Sequence, residues 1–79
     1  MKWQRNPSAV LGGWRTAEVE TPNGRGYWLV RKKSKTQYHL NLMETREIFI
    51  GAEMTTSIYH ELFDSLQSAK AHAERQQKA

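Results

Sequence analysis

From Trp14 onward, apolar and polar residues alternate with the two-residue period of a β-strand, and helical spacing takes over only after residue 63. A first strand opens at Trp14, with Ala17 and Val19 as its apolar positions and Arg15, Glu18 and Glu20 in solvent. Thr21-Pro22-Asn23-Gly24-Arg25-Gly26 supplies a proline and an Asn-Gly pair, whose tolerance of positive φ predicts a tight reversal between antiparallel strands. Residues 27–33 carry aromatic and β-branched side chains on both faces, which marks a strand in the middle of a sheet. Ser34-Lys35-Thr36 turns the chain, and residues 37–43 then alternate cleanly. Tyr38, Leu40 and Leu42 face the core, and His39, Asn41 and Met43 face away. Glu44-Thr45-Arg46 reads as another polar turn, followed by Glu47-Ile48-Phe49-Ile50-Gly51-Ala52 as a short strand of high β-propensity. Residues 53–63 fit a loop, a short edge strand or an early helix start, and loop plus short strand is the favoured reading.

Asp64 or Ser65 is placed to accept a bond from the free N–H groups of a first helical turn, and Leu66, Ala69 and Ala73 recur at helical spacing. The helix runs to about Gln77, with Gln67, Lys70, Glu74 and Lys78 on its solvated side. The pattern therefore specifies an α+β fold: an antiparallel β-meander of three to five strands with one C-terminal α-helix packed on one face. Residues 1–13, with Pro7 and the Gly12-Gly13 pair, show little periodicity and read as a flexible N-terminal arm that Trp3 and Val10-Leu11 pin to the body. Residues 14–79 form the single β-sheet-plus-helix domain.

At 79 residues the core is thin, since a domain of this size buries only roughly 60% of the surface of its unfolded chain. No cysteine is present to staple it or to ligate a metal, so stability rests on three Trp, three Tyr, two Phe and the aliphatics. The N-terminus lacks the apolar run of a signal peptide, and no stretch approaches the roughly 20 apolar residues of a membrane span. A cytoplasmic location with no membrane association is expected.

Charge is distributed unevenly. Residues 1–40 hold eight cations against two anions, whereas residues 41–79 hold four against six. Four of the cations fall within five residues, Arg31-Lys32-Lys33-Ser34-Lys35, at the turn between two aromatic strands. Positive charge displayed at a hairpin turn suits contact with phosphate or another acidic surface.

Catalysis has little support by comparison. No Ser lies in a strained Gly-x-Ser-x-Gly turn, and His39, His60 and His72 lie on different elements without the paired spacing of a metal site. Gly24-Arg25-Gly26 lacks the Lys-Ser/Thr of a phosphate-cradling loop. The expectation is a non-enzymatic binding protein with no cofactor, no metal and no small-molecule substrate. Its binding residues are Arg15, Arg25, Arg31, Lys32, Lys33, Lys35, His39 and Asn41, with turn cations on phosphates and the outer sheet face toward a groove. DNA is the favoured partner; an acidic protein surface is the alternative. An exposed edge near residues 48–52 or 58–62 offers a self-pairing site, and the sequence leaves the oligomeric state open.

Strands followed by Phe63-Asp64-Ser65-Leu66-Gln67-Ser68-Ala69-Lys70-Ala71-His72-Ala73-Glu74 resemble the strand-then-helix layout of the DNA-binding domains of plant ethylene-response factors and phage integrase arms. The Trp-rich meander ending in a Ser-Leu-x-x-Ala-Lys-x-x-Ala-Glu pattern is also similar to small orphan proteins of actinobacterial phages. The resemblance covers residues 14–75. It implies the fold and a phage origin, hence a host-cell cytoplasmic setting in which the alternative function is docking on a host protein to modulate it. The run of alternating arginines on the first two strands of the DNA-binding pattern is absent.

Overall fold

A computed structural model describes residues 1–7 and 12–78. Its strands are β1 (Trp3–Arg5), β2 (Trp14–Thr16), β3 (Val19–Thr21), β4 (Gly24–Ser34), β5 (Gln37–Phe49) and β6 (Ala52–Phe63), and its helix is α1 (Leu66–Lys78). All six strands join one antiparallel sheet in the order β1-β2-β4-β5-β6, with β3 pairing beside β4. The α+β layout of sheet plus C-terminal helix stands, with six strands where three to five were expected.

The extra strands come from the N-terminal end of the meander. Trp3–Arg5, expected in a flexible arm, pairs antiparallel with Trp14–Thr16. Trp3 anchors it: its indole Nε1 donates to Glu74 at 3.4 Å, and the Lys70 ammonium lies 5.7 Å from its ring centroid. Lys70 and Glu74 accordingly reach the N-terminal strand instead of lying wholly in solvent. Val10 and Leu11, expected to help pin the arm, lie outside the described residues.

The expected first strand is divided into β2 and β3 around Ala17 and Glu18. Thr16 is 1% exposed; its Oγ1 accepts from the Trp28 N–H at 3.0 Å and donates to the Ala17 carbonyl at 2.8 Å. The reversal after β3 occurs where expected but with different chemistry. Thr21 pairs with Gly24, so Pro22 and Asn23 are the central residues, and neither Asn23 nor Gly24 has positive φ. Proline presets φ near −65° at the first central position, which removes the need for a left-handed Asn-Gly pair.

The largest departure lies between residues 44 and 63. Glu44-Thr45-Arg46 is no turn; β5 runs straight through it for 13 residues, and the expected strand at residues 47–52 is the end of β5 plus a turn at Ile50-Gly51. Gly51 takes φ of 80° there, a value that suits glycine. The chain then returns as a 12-residue strand in place of a loop and short strand.

Glu44 shows why. Its cross-strand partner is Gly26, and Glu44, only 2% exposed, accepts from the Asn23 N–H at 2.9 Å. The neighbouring Thr21 hydroxyl and the bond from the Asn23 N–H, with help from Arg46, hold the Glu44 carboxyl below its ordinary range despite burial. A glutamate that caps the β3–β4 turn is thus a strand residue.

One face of the sheet carries the core. Trp28 and Val30 of β4 lie opposite Leu42 and Leu40 of β5, and Ala69 and Ala73 of α1 lie on them with no exposed surface. Alanine spacing permits that close approach. The Ser65 hydroxyl caps the helix by accepting from the Ser68 N–H at 3.1 Å. Farther along, the Tyr59 hydroxyl lies 2.7 Å from His72 Nε2 and the Trp28 indole donates to Gln77 at 3.0 Å, tying α1 to β6 and β4. The other face of the sheet is left without a helix.

Candidate binding face

Strand pairing orders the side chains of that second face into rows. Arg31, His39 and Leu62 form one row, Arg15, Leu29, Asn41 and His60 the next, and Tyr27, Met43 and Ser57 a third. The β4–β5 hairpin closes the first row through a two-residue turn, Lys35-Thr36, with Lys33 bulged out of the ladder between Lys32 and Ser34. The bulge tilts the basic segment. Arg31, Lys32, Lys33 and His39 line a common open cleft of about 270 Å³, although strand alternation directs Lys32 toward the face shared with Tyr38. Lys35 sits exposed at the turn itself.

Electrostatically this end differs from the rest of the sheet. Arg31, Lys32, Lys33 and Lys35 make no ion pair among the described residues. Arg25, by contrast, contacts Glu18 at 3.2 Å and Glu53 at 3.0 Å. Arg25 lies across from Thr45, toward the opposite end of β4, and its charge is locally balanced. The structure therefore brings together Arg31, Lys32, Lys33, Lys35 and His39, places Arg15 and Asn41 one row away, and separates Arg25 from them.

Two members of the set are less available than their type implies. The Arg15 guanidinium carbon sits 3.7 Å from the centroid of the Tyr27 ring, so each covers the other's flat surface. Asn41 is 6% exposed, and its amide donates to the Ser57 hydroxyl at 2.9 Å. Leu29, flanked by these residues in its row, is 1% exposed although it lies on the face away from the helix. Three buried side-chain atoms on this face, Arg31 Nε, His39 Nε2 and Asn41 Oδ1, have no hydrogen-bond partner within the protein. Their bonding capacity is open to water or to another partner.

A pair of histidines went unseen in the sequence. His39 and His60 lie on neighbouring strands with ring centroids 4.6 Å apart and planes at 86°. Their spacing of 21 residues becomes visible only once residues 52–63 are known to be a strand. Burial lowers the pKa of His39 below 6.5, and the neighbouring His60, Lys33 and Arg31 lower it further. His72 belongs instead to α1 and faces β6, 2.7 Å from the Tyr59 hydroxyl and 3.8 Å from Glu61. No group of three or more His, Asp or Glu side chains among the described residues is placed to hold a metal ion. No described helix is long and apolar enough to cross a membrane. Comparison with known protein families, characterised proteins and solved structures returns no match to this chain.

Proposed function

We propose that the chain is a non-catalytic nucleic-acid-binding protein whose β4–β5 hairpin end contacts the phosphate backbone. The observation that carries this reading is the convergence of Arg31, Lys32, Lys33 and His39 on one cleft, beside Lys35, with no carboxylate paired to any of the four lysine and arginine side chains among the described residues. Unneutralised cations at a hairpin end release condensed counterions when they meet phosphates, and that release drives binding. DNA is the favoured partner.

Base reading is secondary in this account. Asn41 is buried and Tyr27 is covered by Arg15, which leaves few free donors or flat aromatic surfaces for base edges or stacking. Recognition is thus of backbone more than sequence. The test is a titration of duplex and single-stranded DNA by fluorescence anisotropy at increasing salt. Three or four phosphate contacts give a log–log slope of about −3. A salt-insensitive affinity, or no binding at low salt together with capture of a single acidic protein, would replace the reading with the protein-docking alternative.

A further inference from the structure

Among the described residues, large apolar side chains with substantial exposure are concentrated in one region. Ile48, Phe49, Ile50, Met54, Ile58 and Leu62 all belong to the β5–β6 ribbon, with Met1 the sole such residue elsewhere. Phe49 is 67% exposed and Ile50 96%, and both sit at the ribbon's tip. Beside them runs the longest open edge of the sheet. Among the described residues β6 pairs with β5 alone, and no strand takes up the backbone donors and acceptors along its other side over 12 residues.

Sheet edges of this kind are ordinarily blunted by lysine, proline, shortness or a bulge. β6 contains no lysine, arginine or proline, and its charged residues are Glu53 and Glu61. Its single irregularity is the bulge at Ile58, between the pairs Leu42–Tyr59 and Met43–Ser57. The opposite edge is β1, only three residues long.

We propose that β6 pairs antiparallel with the β6 of a second copy about a two-fold axis at Thr55, joining the two sheets edge to edge. The strand is complementary to its own reverse. An axis at Thr55 sets Glu53 opposite the partner's Ser57 and Met54 opposite the partner's Thr56. The apolar tip at Phe49 and Ile50 of each copy then runs alongside the stretch holding Ile58 and Leu62 in the other. Shifting the axis to Glu53 stacks Glu53 on its own mate, and shifting it to Ser57 sets Glu53 against Glu61. Like charges directly opposite are unfavourable, so both of these registers are disfavoured relative to the axis at Thr55. A two-fold axis perpendicular to the sheet keeps both helices on one side and both outer faces on the other.

The experiment is sedimentation velocity on the full chain across a concentration series. The native chain is expected to reach twice its 9.2 kDa mass. Met54→Lys with Ile58→Lys, both at exposed positions, is expected to weaken association at least tenfold while leaving the circular dichroism spectrum unchanged. As a check on register, Thr55→Cys is expected to form an intermolecular disulfide under mild oxidation, because directly opposed Cβ atoms lie about 4.5–5.5 Å apart, near disulfide range. Ser68→Cys, exposed on α1, serves as the collision control. A native chain that stays monomeric at roughly 100 μM would overturn the proposal. So would a dimer indifferent to the two lysines, or a Thr55→Cys variant that cross-links no faster than Ser68→Cys.

Discussion

Gly26→Ala tests the packing logic of the sheet at its tightest point. A Cβ at this position would lie 1.7 Å from the backbone oxygen of Met43 and 2.8 Å from its carbonyl carbon. Those are backbone atoms of β5, so no side-chain rotation relieves the clash; β4 and β5 must separate. Gly26 also pairs with Val19 of β3 and with Glu44, so the shift propagates into the turn that Glu44 caps. Forcing extra volume into a packed site costs about 1–3 kcal/mol, and a lost ladder hydrogen bond adds roughly 1 kcal/mol. The sum is about 3 kcal/mol. A chain of this length has a total stability of roughly 4–12 kcal/mol, so the variant loses a large share of it. At about 4–8 °C per kcal/mol, Tm falls by roughly 12–24 °C. Thermal and urea unfolding followed by circular dichroism measure it. Gly51→Ala supplies the comparison, since its Cβ meets nothing within 4 Å and it pays only for φ of 80°, about 1–2 kcal/mol. A Gly26→Ala variant within 2 °C of native, or no worse than Gly51→Ala, would refute the reasoning.

Thr16→Val keeps shape but removes the hydroxyl that accepts from Trp28 N–H, leaving that buried donor unpaired; urea unfolding is expected to show a loss of about 1–3 kcal/mol. Glu44 has a folded pKa below its ordinary value of 4.5, so its stabilising effect is complete above that value and fades as pH falls through 4.5 and below. Glu44→Gln is expected to flatten the decline in Tm between about pH 5 and pH 3. His39 is also lowered, from 6.5, so the protonated form is disfavoured in the folded chain; stability is full above pH 6.5 and declines as pH falls through it. The His39→Gln variant is expected to lose that part of the decline, as read from Tm at pH 7.5 and 5.5.

How much of this was legible in the sequence depends on whether a residue's type or its partner decides its place. Tyr38, Leu40 and Leu42 announce their face by alternation alone, and Leu66, Ala69 and Ala73 announce theirs by helical spacing; both sets lie in or against the core as expected. Glu44-Thr45-Arg46 looks like a turn because charged and polar residues usually are wet. Only the pairing of Glu44 with Gly26 and the N–H of Asn23 shows it to be buried strand. The misplaced turn then hid β6, since without a straight β5 there is no template for residues 52–63. Trp3 was expected to pin the arm, but the strand it sits in escaped for a related reason: three residues have no period, and the anchor of Trp3, Glu74, lies 71 residues away. On the outer face, the cations of the β4–β5 turn were visible as a run, whereas Arg25 could be separated from them only by its contacts with Glu18 and Glu53.

The measurement that bears most directly on the account is DNA affinity for two charge-matched variants at low salt. Lys32→Glu with Lys33→Glu alters the basic cleft, and Arg75→Glu with Lys78→Glu alters exposed positions at the end of α1. Each exchange removes two units of charge, so both variants take the formal net charge from +4 to zero. All four positions are exposed, and folding is expected to be nearly unchanged in both. If the hairpin end contacts phosphate, the cleft variant loses at least tenfold in affinity and its salt slope shrinks by about 2, while the helix variant stays close to native. Equal losses in the two variants would mean that net charge alone governs binding, and an undiminished affinity in the cleft variant would contradict the account.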